Sequence, residues 1–415
     1  MCIRDRDYTQ LIELISNQKE NFPLDQQFYT DPSIYDIDLE TFFYNQWIFV
    51  GHESQIKNTG DYFLFEIGNE SIIIIRDKNS KINCFYNVCR HRGSHICIEK
   101  EGKTKKLVCP YHAWAYDLEG NLISARMMDE KFIKKDWNLN KCSSKVYEGL
   151  IFINLSENPD DFNKFINPVK DFIELHGLSK SKIAFKKTYP TSGNWKLTLD
   201  NFHECYHCLP AHPEYCQVHS KEYIQAYGAG NNTGPESIEF SNQLKEWNKK
   251  TENLGYLTGE FSDEGFSNFF RSAERTPFDG DRLSETKDGK PGSILMGKFK
   301  EFDGGYTTVG TSPFNSIIMS NDFATTFTFI PRGPMETDVE IMWLVHEDAI
   351  EGKDYDLNNL IWMWDQTTIA DKKIIENNQK GVMSKKYIPG PLSEMELGLK
   401  KLKKWYLTHL KNKIS

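Results

Sequence analysis

The chain is 415 residues long, enough for two domains that each bury a core, and its 39% hydrophobic and 13% aromatic content is that of a globular protein. Its net charge of −9, from 50 basic and 59 acidic residues, argues against nucleic-acid binding and is compatible with a small cationic ligand. No apolar run approaches the roughly eighteen residues of a membrane span, and MCIRDRDYTQ lacks the apolar core of an export signal, so a cytoplasmic protein is expected. Nine cysteines, an odd and unevenly placed set, then point to metal ligation rather than a disulfide framework. The first six residues, MCIRDR, are given no structural role.

From about Leu11 to Phe43 helical and extended signals alternate, with Asp31-Pro32 as a helix start, and residues 1–42 read as an N-terminal arm packing on the second domain. Residues 43–158 hold short strands at close spacing: WIFV, YFLFEI, SIIIIR, INCFYNV, KLVC, AWAYDL, NLIS and GLIFINL. Turn signals such as Asn58-Thr59-Gly60 and Glu119-Gly120-Asn121 separate them, so a small all-β domain is expected. Residues 159–415 change texture. A helix from about Pro168 to Leu178 precedes the strand IAFKKTYP, and residues 228–292, polar and rich in Gly and Asn, read as long loops over a cleft. Strands return at YTTVG, SIIMS, ATTFTFIPRG and VEIMWLVHE, before helices over Leu357–Lys380 and Ser393–Leu410. That mixture predicts a larger α+β domain.

Two clusters carry metal chemistry. The first is Cys89-x-His91, seventeen residues, then Cys109-x-x-His112, placed in loops between strands. Two thiolates and two imidazoles suit a tetrahedral zinc, but zinc motifs usually open on a close pair of cysteines. A [2Fe–2S] centre with cysteines on one iron and histidines on the other uses all four. Cys84, Cys97 and Cys142 read as small core residues.

The second cluster is Asp200–His219, DNFHECYHCLPAHPEYCQVH, with four histidines and three carboxylates. Histidine and carboxylate with an open position are the ligands of an oxygen-activating non-haem Fe(II). Helical spacing by itself selects Asp200, His203 and His207, at i, i+3 and i+7. A third ligand from elsewhere is expected in the helix beginning at Leu357. There Leu360, Trp364, Thr367, Asp371 and Ile375 form one stripe, and a carboxylate on a mostly apolar stripe is costly unless paired or metal-bound. Asp371 is the choice, with Asp365 and Glu376 behind it.

The flanks CRHRGS and CPYHAWAY resemble the Rieske domain of ring-hydroxylating oxygenases. Electron-transport Rieske proteins carry an extra cysteine in each loop, where this chain has Ser94 and Tyr111. The lead-in Asn194-Trp195-Lys196 and the run DNFHECYHCLPAH resemble the mononuclear-iron segment of Rieske oxygenase α subunits. The resemblance implies Cys89, His91, Cys109 and His112 on the [2Fe–2S] cluster and His207, His212 and Asp371 on the iron, with His203 outside it. It implies Glu204 as an electron-transfer bridge from an iron histidine to His91 or His112 of the next subunit in a head-to-tail homotrimer. Five residues separate His207 from His212, about 140° round a helix, so Pro210 is expected to break the helix between them.

The resemblance extends to ECYHC, VCRHRGS, LVCPYHAWAY, EGKDYDL, WDQTTIADKKIIENNQ and YIPGPLSEMELGLKKLKKWYL, closest to the quaternary ammonium branch that acts on glycine betaine. It implies a small all-β Rieske domain plus a larger helix-grip-like α+β catalytic domain with an antiparallel sheet. The implied reaction is N-methyl hydroxylation with O2, giving dimethylglycine and formaldehyde. With no flavin or NAD fingerprint in the chain, NAD(P)H would act only through a separate flavin/ferredoxin-type reductase. A trimethylammonium group donates no hydrogen bond and must be held by aromatic faces and a distant anion. Phe202, Tyr206, Tyr306, Phe314, Phe323 and Phe327 are the candidates. Another Rieske substrate (carnitine, choline, stachydrine or an aromatic ring) and a pure electron carrier stay open as alternatives.

Overall fold

In a computed structural model, which describes residues 8–226, 235–264 and 267–415, the run Ile72–Ile75 shows how the first domain is tied to the rest. It lies in the strand Glu70–Arg76, and all four side chains are shut off from solvent. Side chains alternate across a strand. Ile73 and Ile75 therefore enter a core with Phe85, Leu107, Trp114 and Tyr116, while Ile72 and Ile74 enter a second one with Val50, Phe63 and Phe65. Each such burial contributes about 1.5–3 kcal/mol.

The strand belongs to a four-stranded antiparallel sheet, ordered Ile82–Tyr86, Glu70–Arg76, Asp61–Ile67 and Glu101–Lys103. A three-stranded sheet (Leu107–Val108, Ala115–Tyr116, Leu122–Ser124) carries the second Cys/His loop. A third sheet, Ile48–His52, Leu150–Asn154 and Ser143–Tyr147, closes the domain and packs Trp47, Phe49, Leu150 and Phe152 into the core of the larger domain. Asn315 fastens it there: its Oδ1 accepts the Phe49 N–H at 3.0 Å and its Nδ2 donates to the Phe49 carbonyl at 3.2 Å.

The larger domain is built on a seven-stranded antiparallel sheet. Its order is Ser181–Thr191, Glu336–His346, Phe323–Gly333, Asn315–Met319, Gly305–Ser312, Ser272–Pro277 and Glu260–Ser262. Alternation again divides the two faces. Val309, Ile317, Met319 and Met342 join Trp47 and Phe152, and Tyr306, Ile318, Phe327 and Trp343 face the helices. The 26-residue helix Leu357–Val382 is capped by Asp356, whose side chain accepts from the Asn359 N–H. It buries Leu360, Trp364, Thr367 and Ile375 of the stripe read from the sequence, and Met363 beside them. The N-terminal helices Thr9–Ser16, Gln26–Thr30 and Pro32–Asp38 lie against the end of the chain, with Phe28 edge-on to Tyr406 and Tyr406 Oη donating to Asp38.

One expectation is overturned. Residues 228–292, read as loops, contain the 19-residue helix Pro235–Asn253 and the strands Glu260–Ser262 and Ser272–Pro277. The helix is nearly all polar and anchors through Trp247, whose indole N–H donates to the Asp303 carbonyl at 2.8 Å, so its sequence shows almost no apolar period. Residues 278–292 do run without helix or strand, while residues 228–234, 265 and 266 of the expected loop and the opening MCIRDR lie outside the described residues.

Candidate metal centres

The two Cys/His loops have the same backbone. In each, the cysteine N–H donates to the carbonyl five residues on (Ser94 or Trp114), and the N–H of the fourth residue on returns to the cysteine carbonyl at 2.9 or 3.0 Å. That fourth residue, Gly93 or Ala113, takes a left-handed φ of 76° or 58°, which makes the turn tight and is costly for Ala113. The loops bring the two Nδ1 atoms of His91 and His112 to 3.1 Å from each other. The Cys89 and Cys109 thiols, both buried, come within hydrogen-bonding reach. Thiols inside and imidazoles outside is the arrangement a Rieske cluster needs, one residue of each type from each loop. Trp114 stacks on His91 with centroids 4.8 Å apart, and Tyr116 Oη lies 3.5 Å from Cys89 Sγ.

The second centre starts at the helix Trp195–Phe202. Asn194 caps it, with Oδ1 accepting the Lys196 N–H at 2.9 Å, and it ends at His203 (φ −92°, ψ 18°). Residues 203–207 run outside any helix, so the i, i+3, i+7 face formed by Asp200, His203 and His207 does not exist. Asp200 accepts from Tyr29 Oη at 3.0 Å, and His203 Nε2 lies 3.3 Å from the Pro313 carbonyl. The next helix is a single turn, Cys208–Ala211, with His207 before it and His212 after it. Pro210 is tolerated inside this turn because first-turn N–H groups have no partner to lose.

His207 and His212 then face Asp371 of the long helix. His212 Nε2 is 2.9 Å and His207 Nε2 3.3 Å from Asp371 Oδ1, and one ligand atom from each residue lies within 4.8 Å of the others. Imidazole nitrogen and carboxylate oxygen bind such metals at about 2.0–2.2 Å, so two of them on adjacent sites of one ion stand about 3 Å apart. The three groups fit a single ion. Glu204 Oε1 accepts from His207 Nδ1 at 2.5 Å, which holds a ring proton on Nδ1 and aims Nε2 at the other two residues, where a metal ion would displace its proton. Burial works against an imidazolium at His207, and hydrogen bonds to Asp371 and Glu204 outweigh it, lifting its pKa to about 9. The site has an excess of negative charge that a metal dication answers. Asn201 Nδ2 reaches both His207 Nε2 and Asp371 Oδ1 at 3.2 Å.

The other carboxylate candidates stand apart. Asp365 pairs with Lys187 and accepts from Tyr189, both at 2.5 Å, and Glu376 pairs with Lys372 at 3.5 Å. The sequence reading also missed a disulfide between Cys205 and Cys208, one residue either side of Tyr206-His207, with Cα atoms 4.9 Å apart. Cys84, Cys97 and Cys142 are buried free thiols, as expected of core residues.

A cavity opens on His207, His212 and Asp371. Phe202 and Tyr306 line it. Phe327 stands behind, against Phe202 and Trp364. Three other candidates do not line it. Tyr206 is 57% exposed, Phe314 is packed between Phe43 and Trp195, and Phe323 is buried beside Gly292. Strand and loop spacing could not show which ring faces the cleft. The wall instead recruits Tyr215, His219, Tyr223 and Trp364, the first three at a four-residue spacing that could have marked them, and Glu274, for which no signal existed in a segment read as loop.

Comparison with known proteins agrees with both centres. Residues 46–142 match the Rieske [2Fe-2S] domain, and residues 180–412 match the ring hydroxylating alpha subunit (catalytic domain). The chain is 34% identical over 410 residues to the glycine betaine monooxygenase oxygenase subunit of Pseudomonas aeruginosa (strain UCBPP-PA14), covering 97% of this chain and 92% of that protein. It is 37% identical over 208 residues to the carnitine monooxygenase oxygenase subunit of Escherichia coli (strain K12), covering 48% and 54%. Among solved structures, the quaternary ammonium Rieske monooxygenase CntA in complex with L-carnitine superposes with a TM-score of 0.69 at 21% identity, over 95% and 97% of the two chains. The naphthalene 1,2-dioxygenase from Rhodococcus sp. bound to indole gives 0.64 at 19% identity, over 94% of each. These two likenesses speak to the fold. A Rieske [2Fe–2S] domain joined to this catalytic domain, with a near full-length relationship to such oxygenase subunits, makes the chain a member of the Rieske non-haem iron oxygenases, of the ring-hydroxylating α-subunit family.

Proposed function

We propose that this oxygenase removes an N-methyl group from a quaternary ammonium compound, glycine betaine above all. The observation that carries the reading is the cavity over His207, His212 and Asp371, walled by Tyr215, Tyr223, Tyr306 and Trp364, with no lysine or arginine among its described lining residues. Aromatic faces hold a cation that cannot donate hydrogen bonds. The relatives named for glycine betaine and carnitine support the same substrate class.

In this reading His207, His212 and Asp371 hold the mononuclear iron. Cys89 and Cys109 hold one iron of the cluster and His91 and His112 the other, and residues 43–158 and 159–415 divide the two tasks. Bound there, the metals supply one-electron transfer and dioxygen activation. The aromatic wall orients the substrate so that one N-methyl group meets the open metal position. O2, two electrons and two protons convert that methyl to N-hydroxymethyl and release water. The N-hydroxymethyl group then collapses to formaldehyde and the tertiary amine, dimethylglycine for glycine betaine, with loss of a proton. The electrons come from NAD(P)H through a separate flavin/ferredoxin-type reductase.

Glu204 is the bridge between subunits of a homotrimer. His207 already donates to it, and its surroundings suit a protein contact: Tyr206 and Leu209 beside it are exposed, as are Val88 and Tyr111 beside His91 and His112. None of the described helices is long and apolar enough to cross a membrane, and residence in the cytoplasm is part of the same proposal. The test is formaldehyde release by holoenzyme with a reductase and NADH, offered glycine betaine, carnitine, choline, stachydrine or an aromatic acid. Release from none of the quaternary amines, or a diol from the aromatic acid, refutes it.

A further inference from the structure

Strand register decides which side chains the catalytic sheet shows to the cavity. Glu274 stands across from Thr308, and Thr308 across from Ile318, while the period of two adds Tyr306 and Ser316 to the same face. All five line the cavity. A carboxylate in such a wall is costly unless a positive group offsets it. Among the described residues no lysine, arginine or histidine forms an ion pair with Glu274, and the side-chain hydrogen bond to it comes from Tyr223 Oη, 3.3 Å from Oε1.

The nearby cations are committed elsewhere. Arg275, next in the chain, points to the other face of the sheet and pairs with Asp303 at 2.7 Å, and Arg271 pairs with Asp263. What surrounds Glu274 is acidic: Glu260 is its cross-strand partner. Burial, opposed by the Tyr223 hydrogen bond and reinforced by Glu260 and Glu264, pushes its pKa up to about 7. His219, the wall histidine outside the metal site, brings no compensating charge, since burial and then Arg282 press its pKa down to about 3. The indole N–H of Trp364 donates to Glu285 at 3.3 Å, which fixes the ring in the wall.

The geometry points to Glu274 as the countercharge of a quaternary ammonium group held against Tyr223, Tyr306 and Trp364, and so as the residue that selects a cation over its neutral isostere, an inference that rests on the cationic substrate proposed above. The missing partner of this carboxylate is the substrate itself. With no arginine or lysine in the described lining, charge selection falls on the cationic end of the molecule.

The experiment is calorimetric titration of holoenzyme, with iron and cluster contents verified, using choline and its neutral tert-butyl isostere, in which carbon replaces nitrogen. Wild type is expected to prefer choline by about ten-fold or more. Glu274→Gln is expected to bind the two nearly equally, and Glu274→Asp to keep part of the preference. A purely structural role would weaken both ligands together. If Glu274→Gln does not fold, Glu274→Asp carries the test, because the retracted carboxylate must still lower the ratio. An unchanged ratio in the variant, or no preference in wild type, overturns the inference. Wild type that prefers the cation through Glu274 yet releases no formaldehyde from any quaternary amine refutes the reaction and leaves the role of Glu274 standing.

Discussion

Replacing His212 by alanine removes one of three groups that converge on a single point, and replacing His203 removes a neighbour that does not. His212 Nε2 lies 2.9 Å from Asp371 Oδ1, whereas His203 Nε2 is turned toward the Pro313 carbonyl. Losing a group that only orients a ligand costs about 10–100-fold in metal affinity, and loss of a direct ligand costs at least the upper end of that range. His212→Ala is therefore expected to purify with little mononuclear iron. His203→Ala is expected to keep that iron and to lose about 1–3 kcal/mol of stability from a truncated half-buried ring. The assay is iron per chain against Rieske absorbance, with the electron paramagnetic resonance signal of a nitrosyl adduct reporting the mononuclear site alone. The cluster is the internal standard, since its four residues are untouched. His212→Ala with full mononuclear iron and His203→Ala without it refutes the assignment and restores the helical-face ligand set.

Glu204→Gln keeps a hydrogen-bonding side chain beside His207 but no charge to couple two imidazoles. Both metals should remain while reduced cluster reoxidises more slowly in single turnover, and an unchanged rate removes the bridging role. Ile73→Ala should destabilise the cluster-bearing domain by about 2–5 kcal/mol, because the residue is fully buried in its core, and a melt indistinguishable from wild type contradicts that packing. Glu285, 1% exposed, has its pKa raised by burial to about 8, against the ordinary 4.5. The folded state thus holds a proton that the unfolded chain releases. The stability this proton brings is fully present below the ordinary carboxylate pKa and is lost as pH rises toward about 8. Glu285→Gln should flatten the fall in melting temperature between pH 5 and pH 8, and an equally steep fall in the variant excludes Glu285 as its source.

The candidate metal residues were legible to different degrees. Cys89, His91, Cys109 and His112 sit in two short loops whose shape is set within six residues, so their spacing survives folding nearly unchanged. Asp371 was visible as a carboxylate on an apolar stripe, and the helix does turn that stripe inward. His203 misled, because helical spacing applies only while a helix lasts and this one stops at Phe202. Tyr206, Phe314 and Phe323 misled because aromatic character says nothing about which side of a sheet or helix faces a cleft.

Residue type and local spacing alone determined where two clusters of metal-capable side chains lie, which of those side chains compete for a ligand role, and that a strand-rich domain precedes a mixed one. Covalent neighbours and short loops suffice for that. Only the tertiary structure decided that His207 and His212 meet a carboxylate from a helix some 160 positions away. It likewise decided that Glu274 lies in a cavity wall with no lysine or arginine among its described lining residues, because cross-strand register, not sequence proximity, chooses the neighbours of a sheet residue.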